Sequence, residues 1–515
     1  MDKKWWTLTA VGIGVFMLLL DLTIVNVALP DIQSQLHASI SDLQWVIDAY
    51  ALSLGALMLM SGSLADLFGR RRLFAIGIVI FTIGSALCGA AQSPLFLSLA
   101  RAGQGVGGAI MFATSLAIVA NAFRGSDRGV AFGVFGAITG VATAFGPVLG
   151  GAITSWLSWR WIFFVNIPIG VIALALTLLR VDESRDPEAR GVDWLGFLTW
   201  SSALGLLIYG LIDSSSHAWG STRVVGPLVA SATLLVLFVV VELRQARPMF
   251  DLSLLRVPTF DGGLVAAFAV SASIFAMLTY LVLYLQNVLH LSALQTGLRL
   301  LVLSGAVFVS AGMAGRLSSK VQPRLLIGPG FILVGVGLLL MRGITSSSSW
   351  THLLPGFIVA GVGAGFVNTP LASVAVGVVH PSRAGMASGI NSTFRQVGIA
   401  AGVAALGSIF ASHIRTSVES ALAGTPGAAN GARIASAVST GHVAQAIAHV
   451  PPQFRGHLAA VSTDAYVHSL DNILLIAAVV AFVGAAAALA LIRSRDLVDA
   501  SEPAAAEAWA EPSRA

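Results

Sequence analysis

The sequence has little of what catalysis, metal binding or a water-facing surface requires. Its one cysteine, Cys88, lies in an apolar run, so neither a disulfide nor a cysteine metal site can form within the chain. No GxxxxGK[ST] loop is present to bind ATP, and the histidines lack the spacing of metal ligands. Only 10% of the residues are charged, too few to cover the surface of a soluble protein. We therefore expect no enzyme, no metal and no cofactor.

Long apolar runs account for most of the chain. Hydrophobic residues make up 56% of it, and the mean hydropathy is +0.86, as in proteins embedded in a membrane. The runs are about twenty residues long, the length of a helix that crosses a bilayer and about twice that of a barrel strand. The sequence thus predicts an all-α integral membrane protein. The net charge is +5, but the basic residues lie in short loops between the runs, so we expect no binding of nucleic acid.

Fourteen apolar segments are long enough to be transmembrane helices. An even number places both chain ends on one side of the membrane, and the loops on that side hold most of the lysines and arginines. Because cytoplasmic loops carry the excess of positive charge, both termini are predicted to be cytoplasmic. The predicted segments are residues 6–29, 43–63, 73–91, 95–120, 130–152, 160–180, 193–213, 224–243, 260–287, 294–313, 325–343, 352–379, 387–411 and 469–493.

Weak internal repeats indicate two similar halves. Residues 126–129 (SDRG) recur as residues 381–384 (PSRA), and the Arg72-Leu73 pair recurs as Arg324-Leu325. The repeats lie farther apart than two six-helix halves require, by about the length of two helices. The predicted units are therefore a six-helix bundle (1–180), two inserted transmembrane helices (193–243), a second six-helix bundle (260–493) with an outer loop at 412–468, and a disordered cytoplasmic tail (494–515).

A charged hairpin, GSLADLFGRRR at residues 62–72, joins the second and third segments. Gly62 and Gly69 let the chain reverse and the helices approach closely. Asp66 can lie near the positive start of the next helix and bridge to Arg70 and Arg71. The pattern resembles the signature loop of the major facilitator superfamily, whose members carry solutes across membranes by alternating access. An ordinary solvated turn is the alternative.

Two further features resemble one branch of that superfamily, the fourteen-helix drug:proton antiporter-2 family of multidrug exporters. One is the layout of six plus two plus six helices, and the other is WRWIFFVNIPIG at residues 159–170. The resemblance implies a proton-coupled antiporter that acts as a monomer in the bacterial cytoplasmic (inner) membrane. Its partners would be protons, the lipid bilayer, and small hydrophobic or cationic drugs or biocides.

Ionisable residues inside apolar helices are the main candidates for coupling transport to protons, because burying a charge in the membrane is costly. Asp21 lies roughly 12 Å from the outer end of the first segment at 1.5 Å per residue, and Asp48 is near the outer end of the second. Burial favours the protonated form of a carboxyl group, so either could hold a proton and release it when access switches. Their contexts, DLTIVNVALP and QWVIDAYAL, resemble the first two helices of these exporters, which implies a part in recognition of a cationic substrate or in coupling. Permanent pairing or helix capping is the alternative.

Arg101 begins the stretch RAGQGVGGAI, which resembles the fourth-helix motif associated with proton coupling. A nucleotide-binding loop is excluded because no strand precedes the glycines. The arginine can tune a nearby aspartate by Coulombic attraction, or it can be a permanent ion-pair partner.

The fifth segment combines glycines with a proline that bends the helix, which suits a rocking interface. The pattern resembles the motif of antiporters, which implies export, although plain helix packing explains each glycine singly. The residues are Gly140, Gly146, Pro147, Gly150 and Gly151.

Six embedded polar residues are candidates to line a central cavity: Asn26, Gln104, Asn166, Gln286, Asn368 and Arg395. No carboxylate lies deep in the later helices, which argues against strong recognition of divalent cations. Two other functions are open: an exporter dedicated to one metabolite, antibiotic, amino acid or lipid, and a receptor or lipid scaffold without transport.

Overall fold

The computed structural model of the chain describes most of residues 2–497, and these residues form helices and no strands. The described residues are 2–123, 126–185, 191, 193–214, 217, 219–245, 248, 250–318, 320–345, 347–379, 384–422, 431, 434–435, 438 and 452–497.

The helices follow the predicted segments in order. They are α1 (Lys3–Leu36), α2 (Ile40–Phe68), α3 (Arg70–Gly89), α4 (Pro94–Ala122), α5 (Ser126–Trp156), α6 (Trp161–Phe164), α7 (Asn166–Arg180), α8 (Trp194–Asp213), α9 (Thr222–Arg244), α10 (Pro258–Val270), α11 (Ala276–Leu283), α12 (Ala293–Leu317), α13 (Pro323–Leu340), α14 (Leu354–Gly377), α15 (Ala384–Leu422) and α16 (Pro452–Leu491). Single π-helical turns, Ser271–Phe275 and Tyr284–Val288, extend α10 and α11.

Twelve helical stretches of the described residues are long and apolar enough to span a membrane, which confirms the all-α membrane class. Two more long helices lie between these stretches: α2, with 29 residues, follows α1, and α5, with 31 residues, follows α4. Counting both as spans gives fourteen, and that count stays a prediction. Because the sixth segment is divided at Val165, α6 and α7 together form one of the twelve spans.

Several predicted boundaries differ from the structure. The helix α2 continues through Gly62 to Phe68, so the chain reverses at Gly69 alone. The predicted outer loop at 412–468 is too long, because α15 continues to Leu422 and α16 already begins at Pro452. Polar residues at these ends lower the hydropathy, although the alanines there favour helix. Within the remaining segment, Ile434, Ala435 and Val438 are buried against the core, whereas residues 439–451 lie outside the described residues, as does the tail from 498.

The pair α8 and α9 packs against a helix from each predicted bundle. The two helices contact each other, and the Ser231 hydroxyl donates to the carbonyl oxygen of Ala203 at 2.7 Å. The helix α8 also packs on α2 and α15, where the hydroxyl oxygens of Ser214 and Ser408 lie 2.6 Å apart. The inserted pair therefore flanks the junction of the two bundles, here called the first half (α1–α7) and the second half (α10–α16).

Both described chain ends lie at one end of the molecule, here called the terminal end. Lys3 pairs with Asp182, which follows α7. At the start of α10, the Thr259 hydroxyl donates to the Asp496 carboxylate at 2.7 Å. Met60 near the end of α2 and Leu497 belong to the same apolar cluster. The opposite end, here called the far end, carries the start of α2 and the end of α5.

Candidate functional site

Asp21 lies at the centre of a buried polar cluster in the first half. Its Oδ2 atom is 2.5 Å from Nη1 of Arg101, and neither side chain is more than 2% exposed. Its Oδ1 atom accepts hydrogen bonds from Gln104 Nε2 at 2.9 Å and from Asn166 Nδ2 at 3.0 Å. The carboxylate is thus fully partnered, as a buried charge requires.

The cluster ties together the helices around α1. Arg101 Nε donates to the carbonyl oxygen of Val46 at 3.2 Å, and its guanidinium carbon lies 4.0 Å from the centroid of the Tyr50 ring. Asn166 also donates to the Ser85 hydroxyl at 2.9 Å, which donates to the Phe163 carbonyl oxygen at 2.8 Å. Asp21 is therefore bonded directly to residues of α4 and α7, which are in turn bonded to α2 and α3.

Glycines of the RAGQGVGGAI stretch let α4 approach its neighbours closely. A methyl group at Gly105 would lie 2.6 Å from the carbonyl oxygen of Tyr50 on α2, and one at Gly107 would collide with the backbone of Phe81 on α3. Larger residues here would force α4 away from α2. The Arg101 guanidinium could then no longer reach both Asp21 and the Val46 carbonyl.

Asp48 has very different surroundings. It is fully buried, and neither carboxylate oxygen has a hydrogen-bond partner among the described residues. It lies on the side of α2 that faces α15: one turn earlier, Gln44 Nε2 donates to the Val403 carbonyl oxygen at 3.2 Å. Two turns later, a methyl group at Gly55 would lie 3.0 Å from Cβ of Gln396. Asp48 therefore lies at the contact between the two halves.

The structure does not bring the two aspartates together. Arg101, the partner of Asp21, contacts the side of α2 that carries Val46 and Tyr50, whereas Asp48 lies on the opposite side. Both aspartates were expected to be reachable from an outward-open cavity, but each is 0% exposed in this conformation.

Two cavities lie along a single face of α1. The larger, of about 670 Å³, is lined by α1 and α5, and the smaller, of about 40 Å³, is lined by both halves. Thr9, Phe16, Thr23 and Val27 lie on this face of α1, because they are spaced by whole turns of the helix. Asp21 lies on the opposite face of α1. The larger cavity is lined by Trp5, Leu8, Thr9, Gly12, Ile13, Phe16, Val134 and Ile138. The smaller is lined by Thr23, Asn26, Val27, Pro147, Phe275, Leu278, Val282, Leu300, Leu303, Ser304 and Val307.

The six polar candidates occupy different places. Asn26 lines the smaller cavity, and Gln104 and Asn166 instead contact Asp21. Gln286 Nε2 crosses between the halves to the carbonyl oxygen of Val27 at 2.7 Å. The side-chain oxygen of Asn368 has no hydrogen-bond partner within the described part of the chain. Arg395 is half-buried and makes no hydrogen bond or ion pair with any described residue.

The glycine-proline stretch of α5 lies between α1 and α12. Methyl groups at Gly146 and Gly150 would collide with Thr23 and Ile24 on α1, while one at Gly151 would lie 2.9 Å from Cα of Leu294 on α12. The carbonyl group of Pro147 occupies the space beside Gly297 of α12. This stretch therefore contacts both halves, whereas the surroundings of Gly140 lie outside the described side chains.

The charged hairpin is attached to the segment after α7. Gly69 has φ of +107°, which favours glycine. At the first turn of α3, the Glu183 carboxylate accepts a hydrogen bond from the backbone N–H of Arg71 at 3.0 Å. The backbone N–H of Arg70 donates to the Ser184 carbonyl oxygen at 2.8 Å. The Asp66 side chain lies outside the described set. A methyl group at Gly62 would meet open space, so that glycine is not needed for close packing.

Several residues of the site carried no signal in the sequence. Tyr280 donates to the Val403 carbonyl oxygen at 2.6 Å beside Gln44, and Glu183 caps α3. In the sequence, Gln44 and Glu183 cannot be told from ordinary residues at helix ends, and Tyr280 lies within an apolar run. Only their contacts across the fold distinguish them.

Solved structures of membrane transporters have the same fold. The chain superposes on a bacterial homologue of the human lysosomal transporter Spinster, in an inward-facing and occupied conformation, with a TM-score of 0.64 at 18% identity, covering 97% of this chain and all of that one. It also superposes on the human organic anion transporter MFSD10 with a TM-score of 0.57 at 17% identity, covering 93% of this chain and all of the other. At these identities the likeness concerns the fold alone.

Sequence comparison is more specific. The chain is 38% identical to the multidrug resistance protein Stp of Mycobacterium tuberculosis over 80% of its own length and 77% of Stp. It is 36% identical to the puromycin resistance protein pur8 of Streptomyces alboniger, over 79% and 82%, and 31% identical to the tetracenomycin C resistance and export protein of Streptomyces glaucescens, over 95% and 91%. The model of the Major Facilitator Superfamily matches residues 11–403. With its helical membrane fold and these relatives, the chain belongs to the major facilitator superfamily.

Proposed function

We propose that the protein is a proton-coupled antiporter that exports hydrophobic compounds across the bacterial cytoplasmic membrane by alternating access. The observation that carries the proposal is the combination of an apolar cavity along α1 with two carboxyl groups that are buried elsewhere in the helix bundle. Relatives named for multidrug resistance support the drug-export part. Neither an enzyme activity nor a cofactor is part of the proposal, because the membrane proton gradient supplies the energy, about 2.3 kcal/mol per charge per 100 mV.

The two aspartates would have different roles in the cycle. Asp48 is buried between α2 and α15 and has no partner for a negative charge among the described residues, so we infer that it holds a proton there. Separation of the two helices would admit water and let the proton leave. Asp21 is already neutralised by Arg101, and it holds α1 and α4 in a fixed relation. We therefore propose that Asp48 binds and releases the proton. The Asp21 cluster would pass the resulting movement of α2 on to α1 and α4.

The contacts at the far end support an inward-facing conformation. Gln44, Gln286 and Ser155 each form a hydrogen bond across the two halves there. The larger cavity, in contrast, is lined by the terminal half of α1. With both termini in the cytoplasm, as the charge distribution predicts, this cavity would receive compounds from the cytoplasm or the inner leaflet. We also propose a monomer, because each half finds its partner within one chain.

A dedicated exporter is the second candidate. It is favoured by relatives whose names refer to one compound each, puromycin and tetracenomycin C. The same helices and carboxyl groups would serve either function, so only the range of compounds separates them.

The test is transport in proteoliposomes that contain the purified protein. An imposed proton gradient should drive uptake or release of hydrophobic fluorescent compounds, and an uncoupler should abolish it. A panel of unrelated compounds would give broad competition for a multidrug exporter and a single strong competitor for a dedicated one. Absence of proton-driven flux for every compound, with folded protein in the vesicles, would argue for a receptor or scaffold instead.

A further inference from the structure

A buried polar contact joins α2, α11 and α15 where the two halves meet. Gln44 Nε2 lies 3.4 Å from the hydroxyl oxygen of Tyr280, and both groups donate to the carbonyl oxygen of Val403, at 3.2 Å and 2.6 Å. Neither side chain is more than 1% exposed. Because α2 belongs to the first half and α11 and α15 belong to the second, the Gln44 amide holds the two halves together at this point.

Gly407 of α15 provides the space for this contact. A methyl group at Gly407 would collide with the amide nitrogen of Gln44 and with the hydroxyl oxygen of Tyr280. Gly407 follows Val403 by one turn of the helix, so both lie on the same face of α15. The two donors therefore occupy a recess that the missing side chain leaves beside their acceptor.

Asp48 lies close to the same two donors. It follows Gln44 by one turn of α2, the spacing at which glutamine and aspartate side chains can hydrogen-bond on a helix. Tyr280 lies close enough to Asp48 for an electrostatic interaction. In this conformation, however, neither carboxylate oxygen of Asp48 has a hydrogen-bond partner among the described residues. Gln44 and Tyr280 thus donate to the backbone of α15 while the carboxyl group near them accepts nothing from the described part of the chain.

The other titratable groups on the helices packed against α2 lie elsewhere. On α15, none occurs between Arg395 and His413. Asp21 of α1 and Arg101 of α4 pair with each other on the opposite side of α2, and the charges of the terminal end lie several turns away. The rest cap a helix or contact other residues: Asp42, Tyr50, Cys88, Tyr209 and Asp213. Gln44 and Tyr280 are therefore the groups placed to respond when Asp48 changes its charge.

We infer that Gln44 and Tyr280 are positioning residues that couple the charge of Asp48 to closure of the far end. The inference rests on the proposed transport function and specifies how proton binding changes the conformation. While Asp48 holds a proton, both donors bond to Val403 and keep α2 and α11 against α15. When the proton passes to water, the carboxylate is a stronger acceptor than a peptide carbonyl, so the Gln44 amide and the Tyr280 hydroxyl turn to it. The bonds to Val403 are then lost, and the far end can open.

The direction of this switch suits export. With the far end open, Asp48 can take a proton from the water outside, which returns both donors to Val403 and closes that end. With the far end closed, the proton can leave only toward the terminal end, and its loss lets the far end open again. A proton that enters at the far end and leaves at the terminal end moves in the direction opposite to an exported compound, as antiport requires.

The test measures how fast a hydrophilic maleimide labels a thiol at the far end of the purified protein, at acidic and at alkaline pH. Ala293→Cys in a Cys88→Ala background is the reporter, because Ala293 is 5% exposed and lies where α12 meets Gly151 of α5. Ser34→Cys, at an exposed position near the end of α1, corrects for the effect of pH on the thiol itself. The corrected labelling rate should rise at least about fivefold at alkaline pH, the factor that corresponds to one typical hydrogen bond.

Removing either donor should reduce this change with pH. Gln44→Met and Tyr280→Phe should each be labelled faster than the reporter protein at acidic pH, and the double variant should show no change with pH. Asp48→Asn, whose side chain is neutral at every pH, should be labelled slowly throughout. A change with pH that is undiminished in the double variant or in Asp48→Asn, or that is absent from the reporter protein, would overturn the inference.

A matched control is Gln286→Met. Gln286 Nε2 also donates across the two halves, to the carbonyl oxygen of Val27 at 2.7 Å, but this bond reaches α1 and not α2. Its loss should speed labelling at both pH values and leave the ratio between them as in the reporter protein. A ratio that falls as far as in Gln44→Met would show that any bond between the halves has this effect, and it would contradict the assignment.

Labelling needs neither a compound nor a proton gradient, so it separates the two proposals. If labelling follows the expected pattern while no compound moves with the proton gradient in proteoliposomes, the link between charge and closure stands and the proposed function fails. If compounds are transported while the change in labelling with pH survives the loss of both donors, the function stands and the inference fails.

Discussion

Two buried aspartates in adjacent helices differ in what surrounds them. Asp21 accepts hydrogen bonds from Arg101, Gln104 and Asn166, whereas Asp48 accepts none from the described residues. The first carboxylate has a counter-charge and hydrogen-bond donors, whereas the second has neither among the described residues. At the scale of single residues, the site therefore combines a buried ion pair with a buried carboxyl group that has no partner in the described part of the chain.

For Asp48→Asn, we expect proton-driven transport to fall to the level of protein-free vesicles, because asparagine cannot exchange a proton. The protein should stay folded, since a carboxyl group and an amide are nearly equal in size and no hydrogen bond to a described residue is lost. Flux assays and thermal unfolding of the same preparation measure both. Asp261→Asn, at the start of α10, is the control and should transport normally; proton-driven flux that survives in Asp48→Asn would remove Asp48 from the cycle.

Asp21→Asn should instead destabilise the protein by about 3–5 kcal/mol, because it leaves the buried Arg101 without a counter-charge. Arg101→Gln should have a similar effect. The double variant should be less destabilised than the sum of the two, since it removes both charges at once. Denaturation of the three variants in the same detergent measures this coupling, and additive losses would show that the two side chains act independently.

At the scale of helices, glycines of α5 and α12 set how closely the two halves approach. The carbonyl group of Pro147 lies where a side chain at Gly297 would begin, and Gly151 is packed against the start of α12 in the same way. Backbones in such contact cannot accept a larger side chain without moving apart. The contact between α5 and α12 therefore depends on the small volume of the residue at position 297.

For Gly297→Val, we expect the far end to remain open, so that transport falls at least about tenfold while the protein stays folded. Gly305→Val is the matched control on the same helix, because a side chain there meets open space. Flux assays and the labelling of a cysteine introduced at the far end compare the two. Equal transport in both variants would show that the closure tolerates the added volume.

The elements that sequence could predict are those with a strong hydropathy signal. The apolar runs located the helices, and Asp21 and Arg101 were both identified as embedded ionisable residues. Their pairing could not be predicted, because the rotation of α1 against α4 depends on contacts with distant helices. For the same reason Gln104 and Asn166, predicted for a cavity, instead contact Asp21. The early start of α16 was missed because polar residues at 452–468 lower the hydropathy there.

At the scale of the whole molecule, the two halves are joined at the far end by hydrogen bonds between residues distant in sequence. Gln44 reaches Val403, Gln286 reaches Val27, and the Leu294 N–H donates to the Ser155 hydroxyl at 2.9 Å. Alternating access requires all three to break together. The far end is therefore the place where a covalent bond should stop the cycle.

A disulfide between Ser155→Cys and Leu294→Cys should block transport, and reduction should restore it. The backbone nitrogen of Leu294 already lies within hydrogen-bond distance of the Ser155 side chain, and a Cys88→Ala background leaves no other thiol. Flux measured before and after a reducing agent gives the result. Each single-cysteine variant is the control, and full activity in the cross-linked protein would mean that this end does not open.

The absence of acidic residues from 262 to 418 has an evolutionary consequence. Under the proposed function, the buried carboxyl groups that use the proton gradient lie in the first half, so the second-half residues that line the smaller cavity can change without them. Mutations in the second half could then adapt the protein to a new antibiotic, while the carboxyl groups of the first half are inherited unchanged.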